Sequence, residues 1–457
     1  MSDRAEPPAR PEPGGPVTRY HAELAWLDGR PERDVLIEVD GQGRFAAVAP
    51  GTPAPAGAVR LAGLTLPGFA NTHSHAFHRA LRGRTQDGLG TFWTWRERMY
   101  QLADRLDPDR YRALATAAYG ELALAGITCV GEFHYLHHRP GGRPYADPNA
   151  MAAALVDAAG AAGIRLTLLD TCYLTAAVDG TPLAGPQRRF GDAGVHAWAG
   201  RVDRLRPEPD RWRVGAAIHS VRAVPVEAIP TVAGWAADRA APLHLHLSEQ
   251  RAENAACLAH HHRTPTELLA DLEVLGPGTT AVHATHLTDL DRTLLGDTNT
   301  GVCCCPTTER DLADGIGPAR ALVDAGATLS LGTDSHAVVD MFEEARSVEL
   351  HTRLWDERRG HFPAADLLAA ATAAGHRALG WDDAGMIAPG ARGDLVTVTL
   401  DSPRTAGTDP AAIVFTATAA DVTQVVAGGQ LVVRDGRHRS LDVPAALRAA
   451  IGEVTGG

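Results

Sequence analysis

The chain has 457 residues, of which 45% are hydrophobic and 21% are charged. This length allows one large and one smaller domain, and the composition is that of a folded protein rather than a disordered one. The formal net charge of −12 argues against a general nucleic-acid-binding protein, because phosphate contacts need a basic face. No apolar run is long enough to cross a bilayer, so we expect no membrane partner.

The N-terminal segment 1–17 is rich in proline and polar residues and lacks a hydrophobic stretch. We therefore predict a disordered tail rather than a secretory signal. Six cysteines, three of them adjacent at 303–305, do not form the pattern of a disulfide framework, so the cytoplasm is the expected compartment. We interpret the cysteine run as a buried strand of small residues.

The sequence contains 21 histidines and no lysine. The absence of lysine excludes a lysine Schiff base, and it also excludes the lysine carbamate that bridges two metal ions in some hydrolases. A metal site in this chain must therefore be built from histidine, aspartate, glutamate or cysteine.

Strand-like segments with turn residues between them lie at both ends of the chain. They are VLIEV (35–39), FAAVAP (45–50), DLVTVTL (394–400) and VTQVVAGGQLVVRDG (422–436). We predict that residues 18–66 and 388–445 form one small β-sandwich domain. Two unrelated β segments are the alternative.

Between these ends, short apolar runs alternate with alanine-rich stretches of helical character. Eight runs have the length of a buried strand: 64–75, 128–133, 165–174, 213–221, 242–249, 279–287, 301–308 and 328–336. This alternation predicts the α/β class and a TIM-like parallel (β/α)8 barrel over residues 67–387. Polar residues cluster at the C-terminal ends of the runs, which form the catalytic face of such a barrel.

Histidine and acidic residues end four of these runs. In chain order they are His73 and His75 (first run), His244, His246 and Glu249 (fifth), His283 and His286 (sixth) and Asp334 (eighth). Residues at i and i+2 of a strand share one face, so the paired histidines can converge on one ion. Imidazoles with a carboxylate and an open position suit zinc, and such sites also accept iron and manganese.

Water bound to such a metal ion becomes acidic enough to supply hydroxide near neutral pH. Asp334 could accept the proton of the water, and Glu249 could protonate a leaving nitrogen atom. An exposed loop carboxylate is the alternative for Glu249, and surface histidines are the alternative for His73 and His75.

The HSH motif after PGFANT, the HLHLSE and AVHATH strands and GTDSH resemble amidohydrolases of the mononuclear deaminase branch. The resemblance implies one zinc ion per chain with four ligands: His73, His75, His246 and Asp334. It places on His283 a histidine that usually contacts the attacking water or the substrate, and sometimes the metal ion. It assigns no role to His244 or His286.

Longer stretches resemble the formimidoylglutamate deiminase family of histidine degradation. They are HSHAFHRAL (73–81), FWTWRERMY (92–100), GEFHYLHH (131–138), AIHSVRAV (217–224), HLHLSEQ (244–250) and CPTTERDLADGI (305–316). The resemblance implies hydrolysis of N-formimidoyl-L-glutamate to N-formyl-L-glutamate and ammonia by a homodimer without an organic cofactor. The implied catalytic residues are Glu249, His283 and Asp334, and the implied contacts to the dicarboxylate substrate are His78, Arg96, Tyr135, His219 and Arg222.

The two negative charges of the implied substrate are consistent with these contacts. A dicarboxylate that binds to a protein of net charge −12 needs concentrated positive charge, and arginine offers a two-pronged donor for each carboxylate. A stacked surface guanidinium is the alternative for Arg96, and a loop salt bridge is the alternative for Arg222. His78 departs from the family, which has glutamine at this position, and the departure bears on substrate choice.

Two other functions fit the same motifs. A deaminase of an aminated purine or pyrimidine ring would use the same metal site with a different pocket. A catalytically inactive barrel that serves as a binding scaffold would keep the fold without the chemistry.

Overall fold

The computed structural model describes residues 17–86, 90 and 92–456. Of the predicted tail 1–17, residues 1–16 lie outside the described residues. The strands are β1 (Thr18–Leu27), β2 (Arg30–Val39), β3 (Phe45–Ala49), β4 (Val59–Pro67), β5 (Phe69–Ser74), β6 (Ile127–His134), β7 (Arg165–Cys172), β8 (Trp212–Ile218), β9 (Leu243–Leu247), β10 (Thr279–His283), β11 (Gly301–Cys304), β12 (Leu329–Leu331), β13 (Leu395–Val398), β14 (Val422–Ala427), β15 (Gln430–Arg434) and β16 (Arg437–His438).

The α-helices are α1 (Phe92–Asp104), α2 (Pro108–Leu124), α3 (Ala150–Ala162), α4 (Val195–Val202), α5 (Ile229–Asp238), α6 (Arg251–His261), α7 (Pro265–Asp271), α8 (Asp289–Asp297), α9 (Pro306–Asp311), α10 (Ala319–Ala325), α11 (Met341–Asp356), α12 (Ala364–Ala369), α13 (Gly375–Ala378) and α14 (Val443–Thr455). Short 3-10 helices span Ala76–Leu81, Gly185–Arg189, Pro410–Phe415 and Ala419–Asp421, and a π-helical turn spans Ala370–Ala374. Within the described ranges, no helix has both the length and the apolar character needed to cross a membrane.

A parallel sheet of eight strands runs in chain order from β5 to β12. Every residue of β6 and β7 is buried, because neighbouring helices cover the outer face and side chains fill the interior. Burial on both faces explains why these strands read as continuous apolar runs rather than as alternating ones. The predicted α/β barrel is confirmed.

The barrel closes next to its histidine-rich end. Ser74 and Asp334 form an isolated parallel bridge between the end of β5 and the segment after β12. The backbone N–H of His75 donates to the carbonyl of Asp334 at 3.0 Å, and the N–H of Asp334 donates to the carbonyl of His73 at 2.9 Å. The hydrogen bonds that close the barrel therefore also fix the backbone of three predicted metal ligands, His73, His75 and Asp334.

The second sheet combines strands from both ends of the chain, in the order β16-β15-β14-β13-β4-β1-β2-β3. The central contact is antiparallel pairing of β13 with β4, in which Leu395 lies opposite Pro67. An apolar cluster of its own joins side chains of this sheet, including Tyr20, Ile37, Phe45 and Val426. This confirms a small domain assembled from both chain ends, while its boundaries at 18–66 and 388–445 stay a prediction.

The run 64–75 is divided between the two sheets. Strand β4 ends at Pro67 in the small domain, and β5 begins at Phe69 in the barrel. Gly68 lies between them, where a Cβ atom would approach the Thr128 side chain to 2.4 Å and Cβ of Asp394 to 2.8 Å. A side chain would not fit this close approach, which explains why a glycine lies at the point where the chain passes from one sheet to the other.

Candidate metal centre and active site

Four predicted metal ligands converge at the carboxyl end of the barrel. Nε2 of His73 lies 3.2 Å from Oδ1 of Asp334, and Nε2 of His75 lies 3.3 Å from the same oxygen. Nε2 of His246 lies 3.2 Å from Nε2 of His73. One ligand atom from each of the four residues falls within 4.8 Å of the others, and all four residues are buried or nearly so.

The chemistry of these donors fits a divalent metal ion. Nδ1 of His75 donates to the Phe133 carbonyl at 3.0 Å, and Nδ1 of His246 donates to the His219 carbonyl at 2.9 Å. Because a carbonyl only accepts, each ring carries its hydrogen on Nδ1 and turns its Nε2 lone pair to the centre. Burial lowers the pKa of both imidazoles well below the usual range, which keeps them in the neutral form that binds metal.

Unusual backbone conformations shape this end of the barrel. Asp334 has φ of 42° and His283 has φ of 68°, both in the left-handed region, which is costly for residues other than glycine. Asn71 stabilises the turn before Asp334, because its side chain donates to Thr333 Oγ1 at 2.7 Å and accepts from the Thr333 N–H at 2.9 Å. The GTD motif thus ends β12 in a sharp turn.

His283 lies between two carboxylates. Its Nε2 is 3.9 Å from Oε1 of Glu249, and its Nδ1 is 3.3 Å from Oε1 of Glu309. Burial raises the pKa of Glu249 well above its usual range. Burial favours a neutral His283, but the nearby charges of Glu249, Glu309 and Asp334 raise its pKa well above its usual range.

A cavity of about 180 Å³ opens onto three of the four predicted metal ligands, His75, His246 and Asp334. The structure brings all five predicted substrate contacts into its wall together with Glu249 and His283; these contacts are His78, Arg96, Tyr135, His219 and Arg222. Their roles stay predictions, but their convergence from four separate segments is the arrangement that a small-molecule site requires.

His78 and Tyr135 contact each other inside this cavity. Nε2 of His78 lies 2.9 Å from the Tyr135 hydroxyl. Nδ1 of His78 is buried and has no hydrogen-bond partner among the described residues. Burial lowers the pKa of His78 to about 3, so the ring is neutral and its Nδ1 remains available to a bound molecule.

The two arginines have different surroundings. The Arg222 guanidinium donates to the Tyr173 hydroxyl at 3.1 Å and to the Ala176 carbonyl at 3.4 Å. The Arg96 guanidinium lies over the Trp93 ring at 4.4 Å from its centroid. Neither forms an ion pair within 4.0 Å of a described carboxylate, so both retain donors for an anionic ligand.

Two histidines without an assigned role lie away from the metal ligands. Nε2 of His244 donates to the Ala378 carbonyl at 2.9 Å, deeper in the barrel. His286 lies in a separate groove beside Arg251 and Asn254.

Two other clusters hold potential ligands but have competing partners. The first is His134, His137 and Asp170, and there both oxygens of Asp170 already accept from the Arg201 guanidinium at 2.8 Å. The second is His283, Cys305 and Glu309, and there Oε1 of Glu309 already accepts from the Cys305 N–H at 2.8 Å.

All three adjacent cysteines, Cys303–Cys305, are buried with free thiols, as expected, although strand β11 contains only Cys303 and Cys304.

Several site residues were not singled out in the sequence. Glu309 contacts His283, and Gln187 donates to the hydroxyls of Tyr100 and Tyr173 at 3.2 Å each. Glu309 falls within CPTTERDLADGI, so the motif that carried the resemblance contained the signal without indicating a role. Gln187 lies outside all of the quoted motifs and had no signal.

Comparisons with known proteins agree with this geometry. Residues 64–432 match the model of the amidohydrolase family. The chain is 37% identical to formimidoylglutamate deiminase of Pseudomonas aeruginosa over 438 residues, which cover 92% of this chain and 96% of the relative.

Solved structures give the same result. An amidohydrolase from Brucella melitensis superposes with a TM-score of 0.87 at 30% identity, covering 96% of this chain and 100% of that structure. An adenosine deaminase from Xanthomonas campestris with bound zinc superposes with a TM-score of 0.82 at 25% identity, covering 96% and 99%. The chain therefore belongs to the amidohydrolase family.

Proposed function

We propose that this protein hydrolyses N-formimidoyl-L-glutamate to N-formyl-L-glutamate and ammonia, with one zinc ion per chain. The observation that carries the proposal is that Arg96 and Arg222, which form no ion pair within 4.0 Å of a described carboxylate, line the same cavity as three of the four proposed metal ligands. The 37% identity to a formimidoylglutamate deiminase over nearly the whole chain supports the same substrate.

Binding of the substrate follows from the charges of the cavity. Arg222 and Arg96 each offer paired donors to one carboxylate, and His219 and the Tyr135 hydroxyl add further polar contacts. An uncharged ring would leave these half-buried guanidinium donors without charged acceptors. The pocket therefore selects a dicarboxylate through its unpaired groups.

The proposed ligands His73, His75, His246 and Asp334 hold a zinc ion that, when bound, makes water acidic enough to react near neutral pH. Asp334 accepts a proton from the attacking water. Glu249, whose pKa burial raises well above its usual range, donates a proton to the leaving nitrogen. His283 lies beside both groups and donates to the developing oxygen.

Atoms balance in this scheme. A C–O bond forms at the formimidoyl carbon, and the bond from that carbon to the terminal nitrogen breaks. The leaving nitrogen gains one proton from Glu249 and the proton that Asp334 took from the water, and it departs as ammonia. The second proton of the water returns to Glu249. No organic cofactor takes part.

A ring deaminase is the second candidate. The aromatic side chains of Phe92, Trp93 and Trp95 line part of the cavity, and flat ring substrates stack on such surfaces. The superposition on an adenosine deaminase agrees with the same metal site.

Ammonia release separates the two candidates. Purified protein with zinc is given N-formimidoyl-L-glutamate and, separately, a panel of adenine, guanine and cytosine derivatives. We expect turnover of the first, at least about 100-fold above the best ring in kcat/KM. Turnover of the rings alone would rule out the proposed substrate.

We also propose a cytoplasmic homodimer and domain boundaries at 18–66 with 388–445 and at 67–387. The homodimer and the compartment rest on the resemblance and on the cysteine pattern. Light scattering of the purified chain tests the dimer, and limited proteolysis tests the boundaries.

A further inference from the structure

Glu309 has contacts that the proposed reaction has not used. Its Oε1 accepts from the backbone N–H of Cys305 at 2.8 Å and lies 3.3 Å from Nδ1 of His283. Glu309 is 6% exposed and His283 is 2% exposed, so water does not compete for the contact. Two elements, the end of β10 and the start of α9, meet through this one carboxylate.

The local backbone fixes where the Glu309 carboxylate lies. The Glu309 N–H donates to the Cys305 carbonyl at 2.9 Å, while the Glu309 side chain accepts from the Cys305 N–H at 2.8 Å. The segment from Cys305 to Glu309 is therefore closed by two reciprocal hydrogen bonds. A carboxylate held in this way can orient a neighbouring side chain.

The second ring nitrogen of His283, Nε2, lies toward Glu249 and the cavity. Its Nε2 is 3.9 Å from Oε1 of Glu249. The ring is nearly parallel to that of His246, at 5.6 Å between centroids and 12° between planes. The hydrogen bond between Nδ1 of His283 and Glu309 favours this orientation of the ring over the one in which the ring is turned by 180°.

We propose that Glu309 is a positioning residue for His283. By accepting the hydrogen of Nδ1, Glu309 fixes the orientation of the ring, so that Nε2 faces the substrate and Glu249. This inference rests on the proposed function for its chemistry, although the contact itself does not depend on the substrate. Hydrogen-bond partners that orient site histidines typically contribute about 10- to 100-fold to affinity or activity.

Glu344 on α11 offers a matched control, because it also contacts the start of α9. Glu344 is fully buried, and its Oε2 accepts from the Thr307 N–H at 3.0 Å, so it also stabilises the start of α9. It is not among the residues lining the cavity. Glu344→Gln therefore reports the structural effect of losing a buried carboxylate at this helix, without any effect on the orientation of His283.

The test compares Glu309→Gln, Glu309→Ala and Glu344→Gln with the wild type. We measure kcat and KM with N-formimidoyl-L-glutamate, zinc content and the thermal midpoint. For both Glu309 variants we expect kcat to fall about 10- to 100-fold, with KM within about threefold and zinc content unchanged. Glu344→Gln should keep at least about half of the wild-type kcat, even if its thermal midpoint falls.

Three results would overturn the inference. They are a kcat of Glu309→Gln within threefold of the wild type, a loss of kcat that follows loss of zinc, and an equal loss in Glu344→Gln.

A structural measurement keeps the inference testable if the wild type does not turn over this substrate, in which case the proposed function fails. The crystal structure of zinc-loaded Glu309→Ala then decides. A His283 ring that turns away from Glu249 supports the positioning role, and a ring that stays in its wild-type place contradicts it.

Discussion

Arginines at the two ends of the barrel have different partners. At the amino end, Arg165 and Asp394 form a two-pronged ion pair, with Nη1 and Oδ1 at 2.9 Å, and Asp394 also accepts from the Gly428 N–H at 2.7 Å. At the carboxyl end, Arg96 and Arg222 have no ion-pair partner among the described carboxylates.

The amino end adds further internal contacts. The Arg213 guanidinium lies 3.7 Å from the centroid of the Trp381 ring, and the Trp381 indole N–H donates to Thr167 Oγ1 at 2.9 Å. Arg165, Arg213 and Trp381 thus each have an acceptor or an aromatic ring. The difference indicates that the amino end serves stability, whereas the carboxyl end keeps donors free for a ligand.

The largest expected effect lies at the metal centre. Asp334→Asn replaces the carboxylate that two histidine Nε2 atoms approach within 3.3 Å. We expect kcat/KM to fall about 10,000-fold or more and zinc to fall below about half an equivalent per chain. Ammonia release and metal analysis measure the two quantities, and a variant with a tenth of wild-type activity would refute the assignment.

The next largest effect is expected on the stability of the amino end of the barrel. Asp394→Ala leaves Arg165 buried and unpaired, which should lower the free energy of unfolding by about 3–5 kcal/mol. Urea denaturation measures this loss, and kcat at a permissive temperature should be unchanged. Asp383→Ala is the control, because Asp383 is 38% exposed in its ion pairs and should cost about 1 kcal/mol or less. A fall in kcat without loss of stability would reverse the contrast.

A smaller effect is expected in the substrate pocket. Arg222→Met removes one carboxylate contact of the proposed substrate, a loss of about 2–4 kcal/mol, or roughly 30- to 1,000-fold in kcat/KM. The thermal midpoint should change little, because no ion pair is broken. Arg98→Met on the exposed face of α1 is the control. Equal kcat/KM for the Arg222 variant and the wild type would remove the dicarboxylate argument.

The smallest expected effect is on the pH dependence of the free energy of unfolding, through a histidine at the amino end of the barrel. Nε2 of His376 donates to the Gly68 carbonyl at 3.1 Å, and burial lowers the pKa of His376 to about 4. The unfolded chain binds a proton near pH 6.5, so the contribution of the neutral ring is present above pH 6.5 and lost as pH falls toward 4.

His376→Gln keeps a donor but does not titrate. Between pH 7 and pH 5 its free energy of unfolding should therefore fall by about 2 kcal/mol less than that of the wild type. Parallel urea titrations at the two pH values measure the difference. An identical pH dependence in the two proteins would show that His376 does not contribute.

Much of the barrel could be predicted because its strands are buried on both faces and read as continuous apolar runs. The candidate metal-binding residues followed from the two-residue spacing of His73 and His75 and from the order of the motifs, and the resemblance to amidohydrolases reduced them to the predicted set of four. The exchange of sheets at Gly68 was hidden, because one apolar run supplies both β4 and β5. No local pattern marks a residue that has to leave one core and enter another.

Partners of the site residues were harder to predict. The contact between His283 and Glu309 joins two elements and depends on the left-handed backbone at His283. The bond between His78 and Tyr135 depends likewise on side-chain directions at the ends of two elements. Motifs indicate which residues gather at the barrel mouth, whereas only the three-dimensional arrangement shows which atoms face each other.

The most direct test of the metal centre is anomalous diffraction at the zinc absorption edge from crystals grown with zinc. The account predicts one strong peak per chain, within bonding distance of His73, His75, His246 and Asp334. A strongest peak at another cluster, such as His134, His137 and Asp170, would contradict it, as would a peak that only two of the four residues contact.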